Sequence, residues 1–228
     1  RWVAEEAGER IGVVLPGGER AMLGDLDLWQ LLNIEPEAAM EAAVELERRL
    51  GDPASARAAF SDHSLAALGY QEFGRRLVAE FGDSLPPGVV LVPSTAHYSW
   101  EKICRALGIG SAQLMHVPVD RRFRMNTGAL EEVLRDCAAR HQPVMACVSV
   151  IGTTEESAVD RLDRILAVRR AAARELGLAF HLHAHAAWGG YAAAITPAAD
   201  GSRRSHAEGL PDTAAEGWPR EGGQSTRT

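Results

Sequence analysis

Three histidines, His181, His183 and His185, alternate with Leu182 and Ala184 in the stretch HLHAHAAWGG at residues 181–190. A β-strand directs every second side chain to one face, so this spacing lines up three imidazoles. Imidazole is a zinc ligand, and three of them make a known enzymatic ligand set. Strand geometry limits that reading. Positions i and i+4 lie about 14 Å apart, whereas a ligand nitrogen must come within about 2 Å of zinc. At most two of the three reach one ion unless the strand bends. The competing reading is a strand-end row of histidines that hydrogen-bond their neighbours. Two further stretches carry side chains suited to a site: STAHYSWEK at 94–102 and SVIGTTEESAVD at 149–160. The three cysteines, Cys104, Cys137 and Cys147, match no zinc or disulfide spacing. Cys147 sits in an apolar run and reads as a small core residue.

These stretches follow segments of strand type. VVLV at 89–92 is short and apolar, and Ser99 is placed to cap a helix, SWEKICRAL, that Gly108 ends. LMHVPV at 114–119 is the next strand, and Asn126 or Thr127 caps a helix through 139. PVMACVSVI at 143–151 is a continuous apolar run, the mark of a strand buried on both faces. Asp160 opens a long helix with Leu162, Ile165, Leu166 and Ala172 toward the core, and Gly177 stops it. LAFHLHA at 178–184 is the following strand. Strand–helix alternation with short links predicts an α/β fold with a mainly parallel sheet and flanking helices. In such sheets ligands bind at the carboxyl ends of the strands. Those ends are Ser94 to His97, Gly152 to Thr154 and Ala184 to Gly190.

Residues 1–86 read as a mostly helical N-terminal segment, with Pro36 at a helix start and Gly51 at its stop. The stretch at 53–81 carries helix formers with Gly69 and Gly74 as weak points, and IGVVLPGG at 11–18 has the form of a short strand and turn. Residues 87–195 form the α/β portion, and 196–228, rich in Gly, Pro, Ser and Thr, read as a disordered or diverged tail. The net charge of −7 with no basic block argues against non-specific nucleic-acid binding. No apolar run is long enough to suggest a membrane span, and no signal peptide opens the chain. The scattered, odd cysteine count fits a reducing cytoplasm.

Taken together, AHYSWEK (96–102), GTT (152–154) and HAHAAWGG (183–190) resemble the fold-type I pyridoxal-phosphate enzymes, in particular the group II amino-acid decarboxylases. Members include the aromatic amino-acid, tyrosine and glutamate decarboxylases. Their pattern is A-H-x-S-x-x-K/R, then G-T-T, then H-x-D-A-A-W/Y-x-G. The segment at 117–134 also resembles the link between the first two, and the likeness covers roughly residues 87–195. The resemblance implies pyridoxal 5'-phosphate as cofactor, an amino-acid substrate and a homodimer. It also implies that His97 stacks on the cofactor ring, that Thr154 lies beside it near Gly152, and that Ala187 covers its other face.

The sequence departs from that pattern in three places. His185 stands where the family has the aspartate that pairs with the protonated pyridine nitrogen, so the charge that keeps the ring an electron sink is missing. The family attaches its cofactor through a lysine well after that aspartate, whereas the one lysine here is Lys102. The nearest string to the family's phosphate cradle, PGGERAML at 16–23, matches it poorly. The expectation is a cofactor-binding set of His97, Thr154, His185 and Ala187, no catalytic lysine, no metal, and a truncated or inactive decarboxylase. The alternatives are a non-enzymatic α/β binding module, or a metal-binding protein using His181, His183 and His185.

Overall fold

The computed structural model describes residues 1–82 and 86–191. The expected tail at 196–228 lies outside the described residues. In chain order the elements are α1 (Trp2–Glu6), β1 (Gly12–Val14), β2 (Arg20–Met22), α2 (Leu28–Leu32), α3 (Pro36–Leu50), α4 (Pro53–Asp62) and α5 (Leu65–Phe81). They continue with β3 (Val89–Pro93), α6 (Ser99–Ala106), β4 (Leu114–Val117), α7 (Thr127–Ala139), β5 (Val144–Val150), α8 (Leu162–Leu176) and β6 (His181–His185).

The fold class follows the expectation. Strands β4, β3, β5 and β6 lie side by side in that order, every pair parallel. Helix α6 joins β3 to β4, α7 joins β4 to β5, and α8 joins β5 to β6. Each strand sends alternate residues to opposite faces. Val89, Leu91 and Cys147 pack with Leu130, Leu134 and Cys137 of α7 and Ile165, Val168 and Ala172 of α8. Val90, Val92, Val148 and Val150 pack on the other face with Cys104 of α6 and Leu114. All three cysteines are free and buried, and burial pushes the Cys147 thiol up to about 12.

The N-terminal third has its own apolar cluster, with Val3, Ile11, Val13, Leu26 and Leu46 at its centre. The strand expected within 11–18 is β1. Its antiparallel partner β2, Arg-Ala-Met, carries no strand-type pattern and owes its conformation to pairing across the turn, where Gly18 takes φ +85°. The helix-forming stretch at 53–81 folds as two helices, α4 and α5, and Gly69 is a weak point as expected. Ser64 caps α5 by accepting from the Ala67 N–H, and α5 kinks at Gly69, where φ is +70°. Asn33 fastens this third to the sheet. It is buried, donates to the Trp29 carbonyl at 2.9 Å and accepts from the Ala179 N–H at 3.0 Å. Arg169 of α8 donates to the Phe180 carbonyl and pairs with Glu37 at 3.0 Å.

Two expected caps are corrected. Helix α6 begins at Ser99 itself, with Tyr98 at the cap position and no side-chain cap bond. Helix α8 starts from Arg161 rather than Asp160. Asp160 is instead buried, and its carboxylate accepts from the Met125 N–H and the Val150 N–H, both at 2.7 Å. Burial raises its pKa, and the two backbone donors pull the other way. The carboxylate joins the start of α7 to the end of β5, which leads directly into the Gly152–Thr154 loop. Asp160→Ala leaves two buried donors unmet. At about 1–3 kcal/mol for each lost acceptor, a loss of about 3 kcal/mol is expected in urea unfolding. Asp160→Asn, which keeps one acceptor oxygen, should lose less.

Candidate functional site

The carboxyl ends of β3, β5 and β6 open onto one cleft of about 150 Å³. Thr95, His97, Val150, Gly152, Thr153, Thr154, His185, Ala187 and Trp188 line it. All four residues expected to contact a cofactor, His97, Thr154, His185 and Ala187, therefore meet in one place. His181 and His183 are not among the lining residues. Both lie exposed on β6, on the face shared with Val148 and Val150.

The walls are held by backbone approach. After β5 the chain turns at Gly152, where φ is +93° and a side chain would stand 3.2 Å from the Gly189 nitrogen. The Gly189 N–H donates to the Ile151 carbonyl at 3.0 Å. A Cβ on Gly189 would lie 2.4 Å from that same oxygen. The two glycines let the loops after β5 and β6 touch, and they are required for that contact rather than merely tolerated. Thr153 stiffens the first loop by accepting from the Ala158 N–H at 2.9 Å. The Thr95 hydroxyl donates to the Phe123 carbonyl at 3.4 Å, and His97 Nδ1 accepts from the Ser99 N–H at 3.3 Å.

His185 is held by a residue that sequence reasoning passed over. Trp100, in the first turn of α6, donates from its indole Nε1 to His185 Nδ1 at 2.8 Å. Its ring also meets the His183 and His185 rings edge-on, with centroids 5.4 and 5.7 Å away. The available signal was its position three residues after His97, across the turn that opens α6, where its backbone N–H donates to the His97 carbonyl at 3.2 Å. Burial lowers the His185 pKa, and the neighbouring His183 and His97 act in the same direction. Nδ1 is thus already engaged by a donor and is not free to ligate a cation. Among the described residues no three His, Cys, Asp or Glu side chains are grouped to hold a metal ion. The metal-binding alternative is not favoured.

The pyridoxal-dependent decarboxylase conserved domain matches residues 80–208, more than half of the chain. The chain belongs to the pyridoxal-dependent decarboxylase family. The L-tyrosine decarboxylase of Levilactobacillus brevis is 37% identical over 167 residues, which is 73% of this chain and 23% of that protein. The L-tyrosine decarboxylase of Enterococcus faecalis is 36% identical, over 73% of this chain and 24% of its own length. The crystal structure of mouse CSAD in apo form is 31% identical, with a TM-score of 0.42, over 54% of this chain and 24% of that one. The match thus spans about a quarter of the length of these two curated relatives.

The family's cofactor is pyridoxal phosphate, and the cleft fits part of it. An imidazole, the small side chain of Ala187 and three threonines suit a flat ring with polar edges. Ligand pockets usually enclose about 300 Å³ or more, so this cleft accommodates a ring rather than a whole cofactor with its substrate. No carboxylate and no lysine are among its lining residues. Lys102 instead lies over the Tyr98 ring, 4.5 Å from its centroid. The described lining residues therefore suit the ring, and none among them is a carboxylate to pair with its cationic form or a lysine to attach it.

Two outcomes are expected. Gly189→Ala forces the Ile151 carbonyl away and should cost about 1–3 kcal/mol in thermal or urea unfolding, the usual range for overpacking. The second concerns pH. His185 is more readily neutral folded than unfolded, so its contribution is complete above the ordinary histidine value of 6.5 and is lost as pH falls through that value toward the lower folded one. His185→Gln should shrink the stability difference between about pH 7.5 and about pH 5.5 in urea unfolding.

Proposed function

We propose that this chain contributes the ring-binding face of a pyridoxal-phosphate site in an amino-acid decarboxylase, and that alone it binds the cofactor reversibly without releasing carbon dioxide. The observation that carries the reading is the convergence of His97, Thr154, His185 and Ala187 on one cleft. In this reading His97 stacks on the ring and Ala187 leaves room on its other side. Thr154 meets its polar edge, and His185 faces the ring nitrogen. When bound, pyridoxal phosphate supplies an electron sink for the bond that breaks at the substrate's α-carbon. That sink is strongest with the ring nitrogen protonated, which a neutral imidazole does not enforce. The lack of a lysine or carboxylate among the described lining residues supports inactivity of the 228-residue chain by itself.

The two bacterial relatives act by name on L-tyrosine, which makes tyrosine the first substrate to try. Pairing with a second copy is part of the proposal, since the family resemblance implies it. A solely monomeric chain in light scattering would count against it. Three free, buried cysteines support a reducing, cytoplasmic location. Among the described residues no helix is long and apolar enough to cross a membrane.

Equilibrium dialysis with pyridoxal phosphate tests the site. The chain should bind, and His97→Ala should weaken binding by about 2- to 12-fold, the equivalent of a stacking contact of about 0.5–1.5 kcal/mol. His185→Asp should bind more tightly. No binding, or binding indifferent to His97, sinks the site assignment. Carbon dioxide released from L-tyrosine by chain plus cofactor sinks the inactivity.

A further inference from the structure

The Trp100–His185 contact decides more than the orientation of a ring. Indole nitrogen only donates, and it points at His185 Nδ1 from 2.8 Å. Nδ1 must therefore present a lone pair, which excludes both the imidazolium and the tautomer protonated at Nδ1. The remaining proton belongs on Nε2. Among the described residues Nε2 has no hydrogen-bond partner, and it is not one of the buried polar atoms left without one. It is thus accessible, on a residue that lines the cleft. Every charged or titratable group near it works toward the same state. His183 comes from β6 and His97 from the loop after β3, while Trp100 of α6 is an uncharged donor. Among the described residues no carboxylate lines the cleft to favour a cation.

We propose that Trp100 locks His185 as the neutral Nε2–H tautomer, so that the cleft takes an aromatic N-heterocycle as a hydrogen-bond acceptor: pyridoxal phosphate held with its pyridine nitrogen unprotonated. The cofactor part rests on the function proposed above, and the tautomer does not. An acceptor nitrogen meets Nε2–H as a donor–acceptor pair. A pyridinium N–H would meet it donor to donor, with no anion among the described lining residues to compensate. The polarity of this contact is thus the reverse of one made by a carboxylate at position 185. Trp100 is a positioning residue here, acting only through His185.

Nitrogen NMR reads both parts. In the free chain with ¹⁵N-labelled histidine, long-range ¹H–¹⁵N spectra near neutral pH should show His185 Nδ1 as an unprotonated nitrogen and Nε2 as protonated. The His185 signals are identified by their loss in His185→Gln. Trp100→Phe keeps the ring and removes the donor, and it should shift His185 into a mixture of tautomers. An Nδ1–H form or an imidazolium in the unaltered chain overturns the lock, and so does a Trp100→Phe spectrum identical to it. Pyridoxal phosphate labelled with ¹⁵N in the ring is then added. The bound nitrogen should resonate as an unprotonated pyridine, and in His185→Asp it should move to the pyridinium position. A pyridinium signal in the unaltered chain overturns the acceptor arrangement. If no cofactor binds, the proposed site and the acceptor arrangement fall together, while the free-chain spectrum still decides the tautomer.

Discussion

Because all four strands of the central sheet run the same way, each is followed by a crossover, and every loop that leaves a carboxyl end emerges at one edge. The Thr95–His97, Gly152–Thr154 and Ala187–Trp188 segments are distant in sequence and neighbours for this reason alone. The crossover helices supply the apolar cover that makes such a sheet stable. The edge they leave open is where backbone and polar side chains can face a ligand. What remains is to hold these loops at a fixed spacing. Asp160 does this from beneath, through two buried backbone donors, and the Gly189–Ile151 contact does it from above.

The sheet was legible because its strands are apolar runs of the right length, separated by amphipathic helices with recognisable ends. Asn126 caps α7 through the Gly128 and Ala129 N–H groups, and Gly177 closes α8 in the left-handed region, as their residue types imply. The misreadings share a cause. Ser99 and Asp160 are good capping residues, and local sequence does not say whether such a residue falls at the cap, inside the first turn as Ser99 does, or in the core as Asp160 does. Asp160 found two donors in the core, from segments 35 and 10 residues away. Strand β2 was missed because pairing rather than composition makes it a strand.

The lining of the cleft was legible in a different way. Resemblance to the decarboxylase motifs pointed to His97, Thr154, His185 and Ala187, whereas periodicity alone would have drawn attention to all three alternating histidines. Pattern cannot tell which histidine on a strand face reaches a pocket, since that depends on where the strand ends and what covers it. Trp100 carried only the weak signal of standing three residues after His97. Its partner lies 85 residues away, and only the packing of α6 across β6 brings them together.

The bond between Asn33 and the Ala179 N–H reaches across 146 residues to the segment just ahead of β6. Side chains alternate along a strand, so a slip of a single position would turn Leu182 and Ala184 toward Trp100 and bury the imidazoles on the opposite side. Among the described residues β6 pairs on one side only, with β5. An anchor at its leading end fixes its phase. The N-terminal third, none of whose described residues lines the cleft, thereby adds to the pairing with β5 a second fix on the address of His185, without touching the cleft itself.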